Sequence, residues 1–245
     1  MSSLADDAPP PAYHEVARDV KPVDEKTEKA SEPTLGEPSR HNVPGVSARL
    51  EVDFTWRKMM ARIKKPGESS EPVYTVDYKT FTSPHLIFTE TATGTRIGSG
   101  TLQPVSINAY YEVNGEKRKL KALRRMHTEY THLSPVYSQS GSAPAAMHWS
   151  SEADFKTWDF ICKGPDGVPV ARFASNSWAR KKVGVIEFYG ALGTSKEAQE
   201  EILVTGLTLY SCMILRTSSF LSFFGGIFSS PGPLPNPEAQ TDKPH

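Results

Sequence analysis

The sequence predicts a mainly β domain closed around a single apolar helix near its C-terminal end. Short runs between residues 50 and 189 alternate apolar and polar side chains with period two, the pattern of half-buried strands. Turn residues separate these runs at roughly 8–12-residue spacing, which is typical of a sandwich or barrel. One later run, Ile202 to Leu215, follows a helix-start signal and is apolar on every side.

Leu50, Val52, Phe54 and Trp56 alternate with polar residues and read as the first strand. Residues 72–80 follow, with Tyr74, Val76 and Tyr78 set against Val73, Thr75, Asp77 and Lys79. Leu86–Thr89 is a short strand, and Thr93-Gly94 marks a turn. Ile97 to Ile107 reads as a strand whose glycines, Gly98 and Gly100, signal a bulge. Asn114-Gly115 is the strongest hairpin signal, because both positions tolerate positive φ; it joins Ala109–Val113 to Lys117–Leu123. Phe155–Cys162 and Pro169–Ala174 form a second hairpin across residues 164–167, and Val183–Tyr189 is a further strand.

Thr194 reads as a helix N-cap, and Glu197 completes a capping box. Nine large apolar residues between Ile202 and Leu215 cover all sides of the helix, so it is buried in protein or in lipid. Fourteen residues span roughly 21 Å, short of the ~30 Å hydrocarbon core. A core helix is therefore expected, with a gross burial gain of ~15–25 kcal/mol.

Composition sets the outer limits. The chain has 245 residues, 38% of them hydrophobic, and 20 prolines. That is apolar-poor for a fully folded chain. Residues 1–45 hold seven prolines, nine acids and five bases, a net of −4. This tail is expected to be disordered, with the barrel domain at 46–219 and an apolar, then proline-rich tail at 220–245. The whole chain is neutral, so the remainder carries +4, too little to demand nucleic acid. Cys162 and Cys212 make neither a zinc pattern nor a disulfide framework and read as buried or idle thiols. The N-terminus has no apolar signal region. The expected location is the cytoplasm, with the plasma-membrane surface as a peripheral site.

The segments Pro72-Val73-Tyr74-Thr75-Val76, Trp149 with Trp158, Gly167-Val168-Pro169-Val170-Ala171-Arg172-Phe173 and Glu200-Glu201-Ile202-Leu203-Val204-Thr205-Gly206-Leu207 point to a family. On these, about 165 residues of the chain resemble the tubby C-terminal-like superfamily, and within it fungal-looking proteins related to the LURP-one group. The resemblance implies a twelve-stranded antiparallel barrel around a central hydrophobic C-terminal helix, in a group most of whose fungal members have no known activity. The superfamily includes phosphoinositide-binding tubby domains and phospholipid scramblases. No segment here looks like a scramblase calcium loop, so calcium-driven lipid movement is not implied.

Four features bear on function. Pro10-Pro11-Ala12-Tyr13 is a PPxY motif. Its prolines pre-set a polyproline II turn that fits the aromatic groove of a WW domain, such as that of a HECT-type ubiquitin ligase. A chance match in a proline-rich tail is the other reading. Lys117, Arg118, Lys119, Lys121, Arg124 and Arg125 place six bases in nine residues; Arg180, Lys181 and Lys182 form a second cluster, and Arg57, Lys58, Arg62, Lys64 and Lys65 a third. These bases could hold an anionic phospholipid or phosphoinositide headgroup. The simpler reading, and the favoured one, is a solvated strand face whose lysines ward off edge pairing. Phe220 to Phe228 is strongly apolar and reads either as a membrane wedge, as a partner-docking tail or as a cover for the barrel mouth. His127 and His132, with Glu129 between them, could make a metal pair but read more simply as surface polarity, since no third ligand is evident. No P-loop, nucleophile elbow, dinucleotide fingerprint or zinc knuckle occurs. No catalytic residue, metal or cofactor is therefore expected, and the oligomeric state stays open.

Overall fold

The computed structural model describes residues 45–67, 71–104, 106–124, 127–138, 143–153, 157–176 and 182–218. Within them are twelve strands: β1 (Val46–Thr55), β2 (Met60–Lys64), β3 (Tyr74–Tyr78), β4 (Leu86–Glu90), β5 (Arg96–Leu102), β6 (Ala109–Val113), β7 (Glu116–Ala122), β8 (Glu129–Ser134), β9 (Ala145–Ala153), β10 (Thr157–Lys163), β11 (Pro169–Asn176) and β12 (Lys182–Tyr189). Each pairs antiparallel with its neighbours in sequence, and β12 returns to β1 with Leu50 opposite Ile186. Closure leaves no unpaired sheet edge.

Turn chemistry sets the hairpins where the sequence places them. Asn114 (φ 52) and Gly115 (φ 80) both take left-handed backbone between β6 and β7, as a tight two-residue turn requires. At the β10–β11 turn, Gly167 is at φ 77 and Asp166 Oδ1 accepts the Val168 N–H at 3.1 Å. The expected bulge in β5 is present: the register with β4 shifts between Phe88 opposite Gly98 and Thr89 opposite Arg96. The strand ends at Leu102, however, and does not run to Ile107, because the chain turns at Pro104.

The helix α1 (Lys196–Ser218) begins one residue later than the capping signal implies. Thr194 belongs to a short 3-10 turn, Ala191–Thr194, where its hydroxyl donates to the Ala191 carbonyl. Ser195 is the cap instead. Its Oγ accepts the Ala198 N–H and donates to Glu197 Oε2 at 2.7 Å, while its carbonyl accepts the first helical bond, from Gln199.

Every residue from Glu200 to Cys212 is buried, including Glu200, Glu201, Thr205, Thr208 and Ser211. Strands meet the helix from all round the barrel. Val204 faces Gly98 of β5, and Gly206 faces Trp149 of β9. Tyr210 packs edge-on against Trp158, Phe160 and Phe173 of β10 and β11. Tyr74 of β3 donates to Glu200 Oε1 at 3.3 Å. The helix is thus the axis of the core, and two of its buried hydroxyls bond back to the preceding turn: Thr205 donates to the Glu201 carbonyl and Ser211 to that of Leu207, both at 2.8 Å, whereas Thr208 Oγ1 has no partner among the described residues. The expected burial holds as far as Cys212. Beyond it the helix emerges from the barrel, with Ile214 36% exposed. No described helix is long and apolar enough to cross a membrane.

Candidate functional site

Where α1 emerges, its last turns and the strands β1, β3, β4 and β5 leave an apolar pocket of about 330 Å³. Phe54, Leu86 and Leu102 form the strand side, and Tyr210, Ile214 and Leu215 the helix side. Phe54 and Tyr78 meet edge to face, with ring centroids 5.2 Å apart. Polar groups gather at one rim, Lys79, Thr80 and His85. His85 Nδ1 accepts the Leu102 N–H at 3.1 Å, and partial burial lowers its pKa, which favours neutral imidazole. The Tyr78 hydroxyl is raised by burial and hydrogen-bonds with Ser211, so it is not a base. The pocket can receive an apolar group.

The basic run lies on β7, directly opposite β1 in the barrel: four strands separate β7 from β2 one way and from β12 the other. Alternation splits the run. Leu120 and Ala122 point inward, and Arg118 shares their side, reaching Tyr111 and pairing with Glu116. Lys117, Lys119 and Lys121 form an outward row. Lys117 sits over the Tyr110 ring at 5.2 Å. Arg124, beyond the strand, pairs with Glu129 at 3.1 Å. Beside the row is a polar notch of about 120 Å³ lined by Arg96, Lys117, Ser99, Thr101, Tyr110 and Glu112. Arg96 and Ser99 donate to Glu112 Oε2 at 3.1 and 3.4 Å, so one guanidinium and one hydroxyl engage the carboxylate there.

The remaining bases do not join this row. Lys182 is opposite Asp53 on β1, which is also opposite Arg62 on β2, so these bases lie on the other side of the barrel. Lys64 pairs with Asp53 at 3.2 Å, and Arg57, Lys58 and Lys65 are exposed. Arg125, Arg180 and Lys181, the side chain of Lys182, the motif residues Pro10, Pro11 and Tyr13, and the apolar block Phe220–Phe228 lie outside the described residues.

The histidine pair read as surface polarity is divided by the fold. His127 is exposed, whereas His132 is fully buried on β8. Its Nε2 is 3.2 Å from Glu201 Oε1 of α1, and both side chains are essentially inaccessible. Tyr111 stands edge-on to the imidazole at 5.5 Å. Cys162 lies close enough to feel the Glu201 charge, and burial holds its thiol well above the usual range. Both cysteines are free and buried, as expected. Among the described residues no group of His, Cys, Asp or Glu is arranged to hold a metal. A pair this enclosed cannot meet a substrate, so it belongs to the framework of the core.

No protein-family model matches the chain, nor does any curated protein or solved structure. The surfaces that bear on function are the barrel's own: an apolar pocket at the helix exit and a row of lysines beside a polar notch.

Proposed function

We propose that this chain is a non-enzymatic tubby C-terminal-like protein that engages anionic phospholipid at a membrane surface through the outer face of β7. The observation that carries this reading is the row Lys117, Lys119 and Lys121. Strand pleating aims all three the same way, beside a notch that adds Arg96. Ammonium groups near an anionic bilayer contribute about 1 kcal/mol each. The architecture implied by the family resemblance, twelve strands around a C-terminal helix, supports the same reading. Replacing all three lysines by glutamine is expected to lower partition onto anionic vesicles on the order of 100-fold. Flotation with phosphatidylcholine vesicles, with and without phosphatidylserine or a phosphoinositide, checks this. Equal recovery of the parent and the variant from anionic vesicles would remove it.

The N-terminal motif supports a second, compatible role as an adaptor. Pro10, Pro11 and Tyr13 have the spacing a WW-domain groove reads. A peptide of residues 5–20 is expected to bind an isolated WW domain of a HECT-type ligase by calorimetry, and the Tyr13→Ala peptide to lose that heat. If no WW domain distinguishes the two peptides, the adaptor role fails.

A further inference from the structure

We propose that the apolar block Phe220–Phe228 of this same chain is the ligand of the pocket at the helix exit. Three facts point to it. The pocket wall contains Ile214 and Leu215, and α1 ends at Ser218, less than one turn further on. The block begins two residues after that end, and Phe220, Leu221, Phe223, Phe224, Ile227 and Phe228 make it overwhelmingly apolar. At about 3.3–3.6 Å per extended residue, Phe223 and Phe224 can travel roughly 20 Å from Ser218, ample to return to a pocket lined by residues one turn upstream. Gly225-Gly226 then permits a reversal, and Ser229-Ser230-Pro231 leads the chain back into polar sequence.

Tethering decides the competition for the site. A segment joined by so short a link has an effective concentration in the millimolar range, which a free apolar ligand of modest affinity does not match. Docking would also cover the otherwise exposed side chains of Ile214 and Met59. The pocket volume is at the lower end for small-ligand sites, about 300 Å³, so it takes the tip of the block and not its full length. This inference does not depend on the phospholipid reading, since the pocket is lined by β1, β3, β4 and β5 and not by β7, and it needs no membrane.

The test uses the full chain without vesicles. Thr80, exposed at the pocket rim, and Phe224 are changed to cysteine; the two native cysteines are buried. Oxidation is expected to link Thr80→Cys with Phe224→Cys many-fold faster than Thr80→Cys with Glu238→Cys, a position beyond the block. In parallel, Phe223→Asp with Phe224→Asp is expected to raise binding of an apolar fluorescent dye several-fold while the far-ultraviolet dichroism of the barrel stays unchanged. Equal linking rates for the two cysteine pairs would overturn the proposal. So would dye binding that the aspartates leave unaltered, or a lipid retained in the pocket of the purified full chain in native mass spectrometry.

Discussion

Replacing Gly98 with valine is expected to destabilise the barrel by about 3 kcal/mol or more, one of the largest losses available to a single added side chain in this fold. Gly98 and Gly100 sit on the inner face of β5, where the helix passes closest. A Cβ at Gly98 would stand 2.5 Å from the Glu112 carbonyl oxygen and 2.9 Å from Val204; at Gly100 it would stand 2.4 Å from Thr208 Oγ1. Two residues along a strand advance about 6.8 Å and four along a helix about 6 Å, so the glycine pair matches the Val204–Thr208 ridge step for step. The two sites should respond differently to compensation. Thr208→Ala removes the atom that blocks Gly100→Ala and should recover most of its loss. Val204→Ala should not rescue Gly98→Ala, because the closest obstacle there is backbone. Gly206→Ala meets only the Trp149 ring at 3.2 Å and gains about 1 kcal/mol of helix propensity, so it should be near neutral. Urea unfolding midpoints of these variants check the pattern, and equal losses at Gly98 and Gly206 would defeat the packing argument.

These glycines show what the sequence can and cannot disclose. Their positions in a strand pattern were readable as a bulge, and β5 does have one. Their main role, giving way to a helix a hundred residues downstream, depends on a contact that local pattern cannot reveal. The same limit explains the three strands that periodicity does not find. β2 has only Ala61 and Ile63 on its inner face, between Arg62 and Lys64. In β8 the inward positions are Tyr130, His132 and Ser134, and in β9 Ser151 takes the side of Met147 and Trp149. In β8 and β9 polar residues facing inward erase the alternation that marks a strand, and β2, at 5 residues, is too short to display it. Arg118 was legible in principle, since it shares parity with Leu120 and Ala122; reading the run as one patch ignored that parity. The apolar pocket was not legible, because Phe54, Leu102 and Ile214 meet only once the barrel has closed.

Removing either partner of the His132–Glu201 pair is expected to cost about 3–5 kcal/mol, and removing both together much less than the sum. Both side chains are enclosed between β8 and α1, and among the described residues His132 Nδ1 and Glu201 Oε2 have no hydrogen-bond partner of their own. Each member therefore depends on the other for compensation of its desolvation. In His132→Leu the Glu201 carboxylate loses its nearest donor at 3.2 Å; in Glu201→Leu the imidazole loses its acceptor. With both replaced by leucine, no polar group at that contact is left stranded, and the added apolar surface packs beside the Tyr111 ring. A double-mutant cycle by urea unfolding should give a coupling of about 2 kcal/mol or more in favour of the double variant. Strict additivity would mean that the pair is not coupled and that the losses come from shape alone. A pair that is costly to break and inexpensive to replace adds little net stability; what it does is fix the rotation of α1 about its own axis. At about 100° per residue Leu215 lies within about 20° of Val204 on the helix, so the rotation that points Val204 at Gly98 of β5 also presents Leu215 to the pocket, whose wall includes Leu102 of the same strand.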